Sequence, residues 1–290
     1  MTISDYIKRY NLLLSLDIEN PLTLSLDLIS HALKLDKVSI LTNVNYVLTK
    51  SEVKILNNVY NRLKESEPIA YIIGNISFYK EQYKLSKDVL IPRPETELMV
   101  KVFIDSLDYR SRKPLQALEI GTGSGCISIS TLNNLPNPKN LHITALDSSV
   151  SALKIANNNA KKILNTNVQK YINFVKYDFH KYKSTAIYNY IVSNPPYISL
   201  SELKLLSTSL KYEPDEALTD FGDGLIFYRS IAKFSTTNLS NSGIIILEIH
   251  EEKYLEVIKI FEESFGKNLT HEIFYDLFNK PRVIKFTLPV

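Results

Sequence analysis

Cysteine, glycine and long apolar runs are scarce in this chain of 290 residues, and each scarcity excludes something. A single cysteine, Cys126, cannot form an internal disulfide. It follows a glycine at the head of an apolar stretch, the place of a small buried helix residue rather than of a nucleophile. No apolar run approaches the length of a membrane span. The charged opening, Met1-Thr-Ile-Ser-Asp-Tyr-Ile-Lys-Arg-Tyr10, lacks the apolar segment of a secretory signal, so the cytoplasm is the expected compartment and no membrane partner is expected. Net charge is only +3 and the lysines are dispersed, whereas a reader of duplex DNA concentrates its basic residues on one face; no stable nucleic-acid binding is expected. His31 has no cysteine or second histidine near it in sequence, and no metal site is legible. There is no internal repeat and no low-complexity tract.

What is present begins with the distribution of the few glycines. Of 8 in the chain, three stand within five positions, Gly121-Thr122-Gly123-Ser124-Gly125. They follow the apolar run 115–120 and precede a helical stretch, 127–135. Glycine used this densely marks a backbone that bends tightly and lets a ligand approach. The spacing is not the G-x-G-x-x-G of dinucleotide binding, and no Lys-Ser/Thr pair follows as in a phosphate loop. S-adenosylmethionine, which leaves S-adenosylhomocysteine as product, is the ligand that fits better.

Three carboxylates recur at the ends of successive apolar runs. Glu119 stands just before the loop, where it can meet an ammonium group directly or through water. Asp147 ends the run 141–146, where an acid can accept both ribose hydroxyl protons. Asp178 ends the run 173–177, with Phe179 beside it to pack on adenine. Any one of these acids alone reads as a strand end or a cap, and Asp147-Ser148-Ser149 does begin the helix expected over 150–163. Their regular recurrence points to a site.

A fourth apolar run, 190–193, ends in Asn194-Pro195-Pro196-Tyr197. Alone, Asn-Pro-Pro is an ordinary turn. Placed at a strand end beside a ligand loop, it suits methyl transfer to a planar nitrogen, whose delocalised lone pair makes it a poor nucleophile. A carboxamide oxygen and a proline-stiffened carbonyl can accept the two N–H hydrogens and aim that lone pair. The four residues do not distinguish a glutamine amide from an adenine amine.

Organisation changes near residue 75. Before it, Val53, Leu56, Tyr60 and Leu63 keep helical spacing behind a capping box at Thr49 and Glu52, and Pro21 opens another helix. Residues 1–74 are expected to form a small helical domain. Residues 75–93 read as a β-hairpin linker, from the alternation of Ile76, Phe78, Tyr83 and Leu85. Residues 94–290 read as a doubly wound α/β methyltransferase domain, with strands near 115–120, 141–147, 173–177, 190–193, 243–249, 271–277 and 282–288, the last two as an edge hairpin.

Nearly the whole chain resembles the release-factor glutamine methyltransferases, the HemK or PrmC family. The resemblance rests on Leu90-Ile-Pro-Arg-Pro-Glu-Thr-Glu97, on Leu118-Glu-Ile-Gly-Thr-Gly-Ser-Gly125 and on Ile191-Val-Ser-Asn-Pro-Pro-Tyr-Ile198. It is supported by Tyr71-Ile-Ile-Gly74, Phe78, Tyr212-Glu-Pro214, Ala217-Leu218 and Asp223-Gly-Leu225. It implies a seven-stranded sheet with an antiparallel last strand. It also implies methyl transfer from S-adenosylmethionine to the Gly-Gly-Gln glutamine of peptide chain release factors, with donor held at the glycine loop, Asp147 and Phe179, and glutamine at Asn194 to Tyr197. The segment 90–97 becomes a wall of the site, with no role assigned to Arg93 or Glu97, 199–219 a substrate-side insertion and the helical domain 1–74 a substrate-recognising one. Two positions after the fifth strand, His250 and Lys253, depart from a family pattern of glycine and glutamine. Methylation of a ribosomal-protein glutamine, or of adenine in DNA or RNA, are the alternatives.

Overall fold

The structure, a computed structural model, describes residues 1–15, 20–111, 113–205, 208–266 and 268–289. It divides into a helical unit, residues 1–74 with 208–212, and a sheet unit, residues 75–207 with 213–290.

In the helical unit, α1 (Ile3–Leu14), α2 (Pro21–Leu33), α3 (Lys37–Thr42), α4 (Lys50–Lys64) and α5 (Ile69–Ile73) surround a core that includes Ile3, Tyr10, Leu28, Ile40 and Leu56. Thr2 and Thr49 each close a capping box, with Asp5 and Glu52 respectively, satisfying backbone donors that a helix start leaves free. Pro21 occupies the first turn of α2, where its missing N–H costs nothing. Two buried tyrosines of α1 need partners for their hydroxyls and find them on α4: Tyr10 Oη donates to the Leu56 carbonyl at 2.6 Å and Tyr6 Oη to Asn57 Oδ1 at 2.8 Å. Tyr212 Oη, donating to the Glu65 carbonyl at 2.9 Å, ties 208–212 into this unit.

The sheet unit opens with an antiparallel hairpin, β1 (Asn75–Phe78) and β2 (Glu81–Lys84). The hairpin falls within this unit. Tyr83 Oη lies 2.6 Å from Ser130 Oγ, and Asn159 Oδ1 accepts from the Lys84 amide at 2.8 Å. Next come α6 (Pro94–Asp105), β3 (Leu115–Ile120), α7 (Cys126–Asn134), β4 (Leu141–Asp147), α8 (Val150–Ile163), α9 (Thr166–Gln169) and β5 (Ile172–Lys176). They are followed by β6 (Tyr188–Ser193), α10 (Leu200–Leu203), α11 (Asp215–Leu218), α12 (Ile226–Asn238), β7 (Leu239–Glu248), α13 (Tyr254–Phe265), β8 (Thr270–Tyr275) and β9 (Pro281–Thr287).

The large sheet has seven strands in the order β5-β4-β3-β6-β7-β9-β8. β3 to β7 are mutually parallel, and β9 runs antiparallel between β7 and β8, whose hairpin forms one edge. Successive residues point to opposite faces. Ala117, Val192 and Ile246 therefore enter the core under α6 and α7, while Leu118, Ile191, Ile245 and Leu247 enter the core under α12 and α13. Helices cover both faces, which is why these strands read as continuous apolar runs. Chain connections leave β3 and β6 in opposite directions across the sheet, and the crevice beyond their carboxyl ends is where such folds bind ligands.

Candidate active site

A cavity of about 330 Å³ occupies that crevice. It is bordered by the ends of β3, β4 and β6 and by the segments that follow β5 and β6, and its size suits a small molecule.

Its floor is the glycine loop. Gly121 and Thr122 donate their amides to the Leu146 carbonyl at 3.0 and 2.9 Å, so the loop is laced to the end of β4. Gly121 and Gly123 have φ of +73° and +54°, and a Cβ built on either meets nothing within 4 Å. Both line the cavity, so a side chain there would be strained and would intrude on the ligand's space. Thr122 and Ser124 are buried outside the lining, and a Cβ on Gly125 would press on Ile129 at 2.7 Å and Ala156 at 3.2 Å.

The acids part ways. Asp147 lines the cavity and also braces it, accepting from the Gly123 amide through Oδ2 at 2.8 Å and from the Ser149 amide through Oδ1 at 2.9 Å. Each carboxylate oxygen keeps a further lone pair for a ligand hydroxyl. Burial raises its pKa above the ordinary value against those amides. Asp178 also lines the cavity, capping a short turn through the His180 amide at 3.1 Å, and Lys181 beside it holds its carboxyl below the usual range. Phe179 lines the cavity and packs edge-on to Phe234, ring centroids 5.5 Å apart. Glu119 is fully buried and does not line the cavity. Its Oε2 accepts from the hydroxyls of Thr122 and Ser128, its Oε1 has no partner among the described residues, and burial pushes its pKa up to about 7. Burial likewise lifts the Cys126 thiol to about 12, which fits an inert core residue.

Asn194, Pro195 and Pro196 form the wall after β6. Asn194 Nδ2 donates to Thr96 Oγ1 at 3.2 Å, and Thr96 Oγ1 donates to Glu248 Oε2 at 2.6 Å. Tyr197 lies outside the lining, its ring 5.9 Å from that of His250 and its carbonyl accepting from Lys253 Nζ at 3.0 Å. Lys253 also reaches Glu202 Oε2 at 3.0 Å and the Asp223 carbonyl at 3.2 Å, joining the segment after β6 to α10 and to the loop before α12. Arg93 and Glu97 prove to be braces. Glu213 accepts from Arg93 Nη2 at 2.6 Å and from the Ile91 amide at 3.0 Å, while Glu97 accepts from the Tyr79 amide at 2.8 Å in the turn of the small hairpin. Residues 87–90, Lys-Asp-Val-Leu, also line the cavity.

The strand order, with antiparallel β9 set between β7 and β8, together with a ligand crevice floored by glycines, defines a class I methyltransferase fold. Residues 95–242 match the methyltransferase small domain and residues 8–74 the PrmC N-terminal domain. The chain is 37% identical to the release factor glutamine methyltransferase of Lactococcus lactis subsp. lactis (strain IL1403), over 93% of this chain and 96% of that protein. It is also 37% identical to a bifunctional methyltransferase of Rickettsia prowazekii (strain Madrid E), over 86% of this chain but only 50% of that protein, so it spans about half the length of that relative. A methyltransferase structure from Pyrococcus furiosus superposes with a TM-score of 0.52 at 18% identity, covering 81% of this chain and all (100%) of that one. The chain belongs to the release factor glutamine methyltransferase family.

Proposed function

We propose that this protein methylates the side-chain amide nitrogen of the glutamine in the Gly-Gly-Gln motif of a peptide chain release factor, with S-adenosylmethionine as donor. The observation that carries the reading is Asn194, whose Nδ2 is engaged by Thr96 while the residue borders the cavity, leaving Oδ1 for an acceptor N–H. The Pro195 carbonyl, on a backbone without a competing N–H, is the second acceptor. Held at both hydrogens, the amide nitrogen presents its lone pair in line with the donor, and positioning of this kind supplies much of a barrier reduction. Tyr197, outside the cavity lining, is proposed to hold the loop after β6 from behind.

The cavity suits the donor: the open backbone at Gly121 and Gly123, the spare lone pairs of Asp147 and the ring of Phe179 match a charged chain, a ribose and an adenine. When bound, S-adenosylmethionine supplies a methyl carbon made electrophilic by its sulfonium. As the N–C bond formed, the methyl–sulfur bond would break and S-adenosylhomocysteine would leave as a neutral thioether; the protonated amide, strongly acidic, would lose its proton to water, so the chain need provide no base. The helical unit is assigned to recognition of the folded release factor.

Incubation with intact release factor and labelled donor, followed by mass spectrometry of the acceptor peptide, should place the methyl group on the Gly-Gly-Gln glutamine, and a Gln→Ala acceptor should stay unlabelled. Asn194→Ala should keep donor affinity and lose roughly 10²-fold in single-turnover rate, the effect of removing one preorganised polar group. Duplex and single-stranded DNA run alongside provide the opposing outcome: methylated adenine with an unmodified release factor would move the activity to nucleic acid.

A further inference from the structure

Asn194 can serve an amide acceptor only if its own amide faces the right way, with oxygen toward the acceptor's hydrogens. The two ends of a carboxamide are nearly equal in shape, so packing does not choose between them; hydrogen-bond polarity does. Thr96 Oγ1 stands between Asn194 Nδ2, at 3.2 Å, and Glu248 Oε2, at 2.6 Å. A threonine hydroxyl has one proton to give, and an ionised carboxylate has none. That proton therefore goes to Glu248, only lone pairs remain on the side of Asn194, and the end that can face lone pairs is the NH₂. We propose that Glu248, acting through Thr96, fixes the orientation of the Asn194 amide and is thereby a positioning residue for the acceptor glutamine, an inference that rests on the reaction given above.

The relay is assembled from three distant pieces of sequence: Thr96 in the first turn of α6, Asn194 after β6 and Glu248 at the end of β7. Thr96 and Glu248 are each only 2% exposed, so water does not offer the hydroxyl an alternative partner. Protonation of Glu248 removes the constraint, because its O–H can then donate to Thr96 and the threonine proton is free to turn toward Asn194. Burial pushes the Glu248 carboxyl up to about 7. Glu95 raises it further, and Arg93 and Arg282 oppose the rise. The tyrosines 197 and 228 and Cys126 also face it and stay neutral in this range, their own pKa values raised by burial. Turnover should therefore rise with pH through about 7, as Glu248 ionises.

The test uses the full chain, intact release factor and saturating donor. Thr96→Val should lower the single-turnover rate roughly tenfold or more, with donor Kd unchanged within about twofold, because only the amide's orientation is lost. Thr96→Ser keeps the hydroxyl and should restore most of the rate. The wild-type rate should rise through about pH 7, and Glu248→Gln, with no ionisation, should abolish that rise. Thr96→Val at the wild-type rate overturns the relay. So does an acid limb that survives in Glu248→Gln, since Glu119, the other buried carboxyl raised to about 7, would then own it. If Thr96→Val does not fold, the pH profiles of the wild type and Glu248→Gln decide alone. A wild-type protein that leaves the release factor unmodified overturns the reaction itself, and the relay with it.

Discussion

Replacing Lys253 by methionine removes one ammonium group and keeps nearly all of the apolar stem. Lys253 Nζ donates to the Tyr197 carbonyl at 3.0 Å, to Glu202 Oε2 at 3.0 Å and to the Asp223 carbonyl at 3.2 Å, and its side chain is 16% exposed. An ammonium has three protons, and all three are committed. A hydrogen bond involving a charged group contributes about 1.5–3 kcal/mol. The part-buried Tyr197 carbonyl loses such a bond outright, whereas the Asp223 carbonyl is exposed and Glu202 has 40% of its side chain exposed, so both can turn to water and their shares are discounted. Lys253→Met should therefore cost roughly 1.5–3 kcal/mol and lower the melting temperature by about 3–12 °C.

The same change should reach catalysis through Tyr197. Neither Lys253 nor Tyr197 lines the cavity, so donor Kd should hold while the single-turnover rate on release factor falls by about tenfold. Lys253→Gln, with two amide protons in place of three, should fall between methionine and wild type in both measurements. Melts with and without donor, calorimetry and single-turnover kinetics together read the effect. A methionine variant with wild-type melting temperature and rate would refute the idea that this lysine holds the acceptor loop in register.

Asp147→Ala should weaken donor binding by roughly 1.5–3 kcal/mol in calorimetry, the loss of charge-assisted hydrogen bonds, and a folded variant with unchanged affinity would remove Asp147 from the ribose site. Glu119 binds its proton more tightly in the folded protein, at about 7, than its ordinary value of 4.5, so folding takes up protons between those values and stability falls as pH rises through that window. Glu119→Gln should shrink the loss of urea midpoint between pH 5 and pH 8, and an undiminished loss would show that Glu119 does not titrate there.

Features local in sequence were readable because their causes are local. The capping box at Thr49 and Glu52, Pro94 in the first turn of α6 and the strand-end positions of Asp147 and Asn194 follow from residue type and spacing alone. The small hairpin ends sooner than its alternation suggests, at Lys84. Its two-residue turn, Tyr79-Lys80, has φ of +46° and +75° without the Asn-Gly pair that signals such a turn. What stabilises it is Glu97, eighteen positions on, accepting from the Tyr79 amide. Glu119 shows the opposite failing of local reading. Its place beside the glycine loop suggests a ligand contact, yet the pleat turns it inward to Thr122 and Ser128, and nothing in its own sequence neighbourhood reveals which face the strand presents to the cavity.

The site's remaining determinants are pairings across the sheet unit. Thr96 and Glu248 lie 152 positions apart, and each sits in an apolar or helical context that explains it without the other. Only the parallel alignment of β6 and β7, with α6 packed against β7, turns a helix threonine and a strand-end glutamate into neighbours of Asn194. His250 and Lys253, departures when read as letters, come to occupy the back of the same loop, one against the Tyr197 ring and the other on its carbonyl. On the reaction proposed above, Asn-Pro-Pro-Tyr supplies the groups nearest an acceptor. Their orientation is set by buried partners whose polarity is fixed by charge, and those partners are specified by the fold as a whole rather than by the motif.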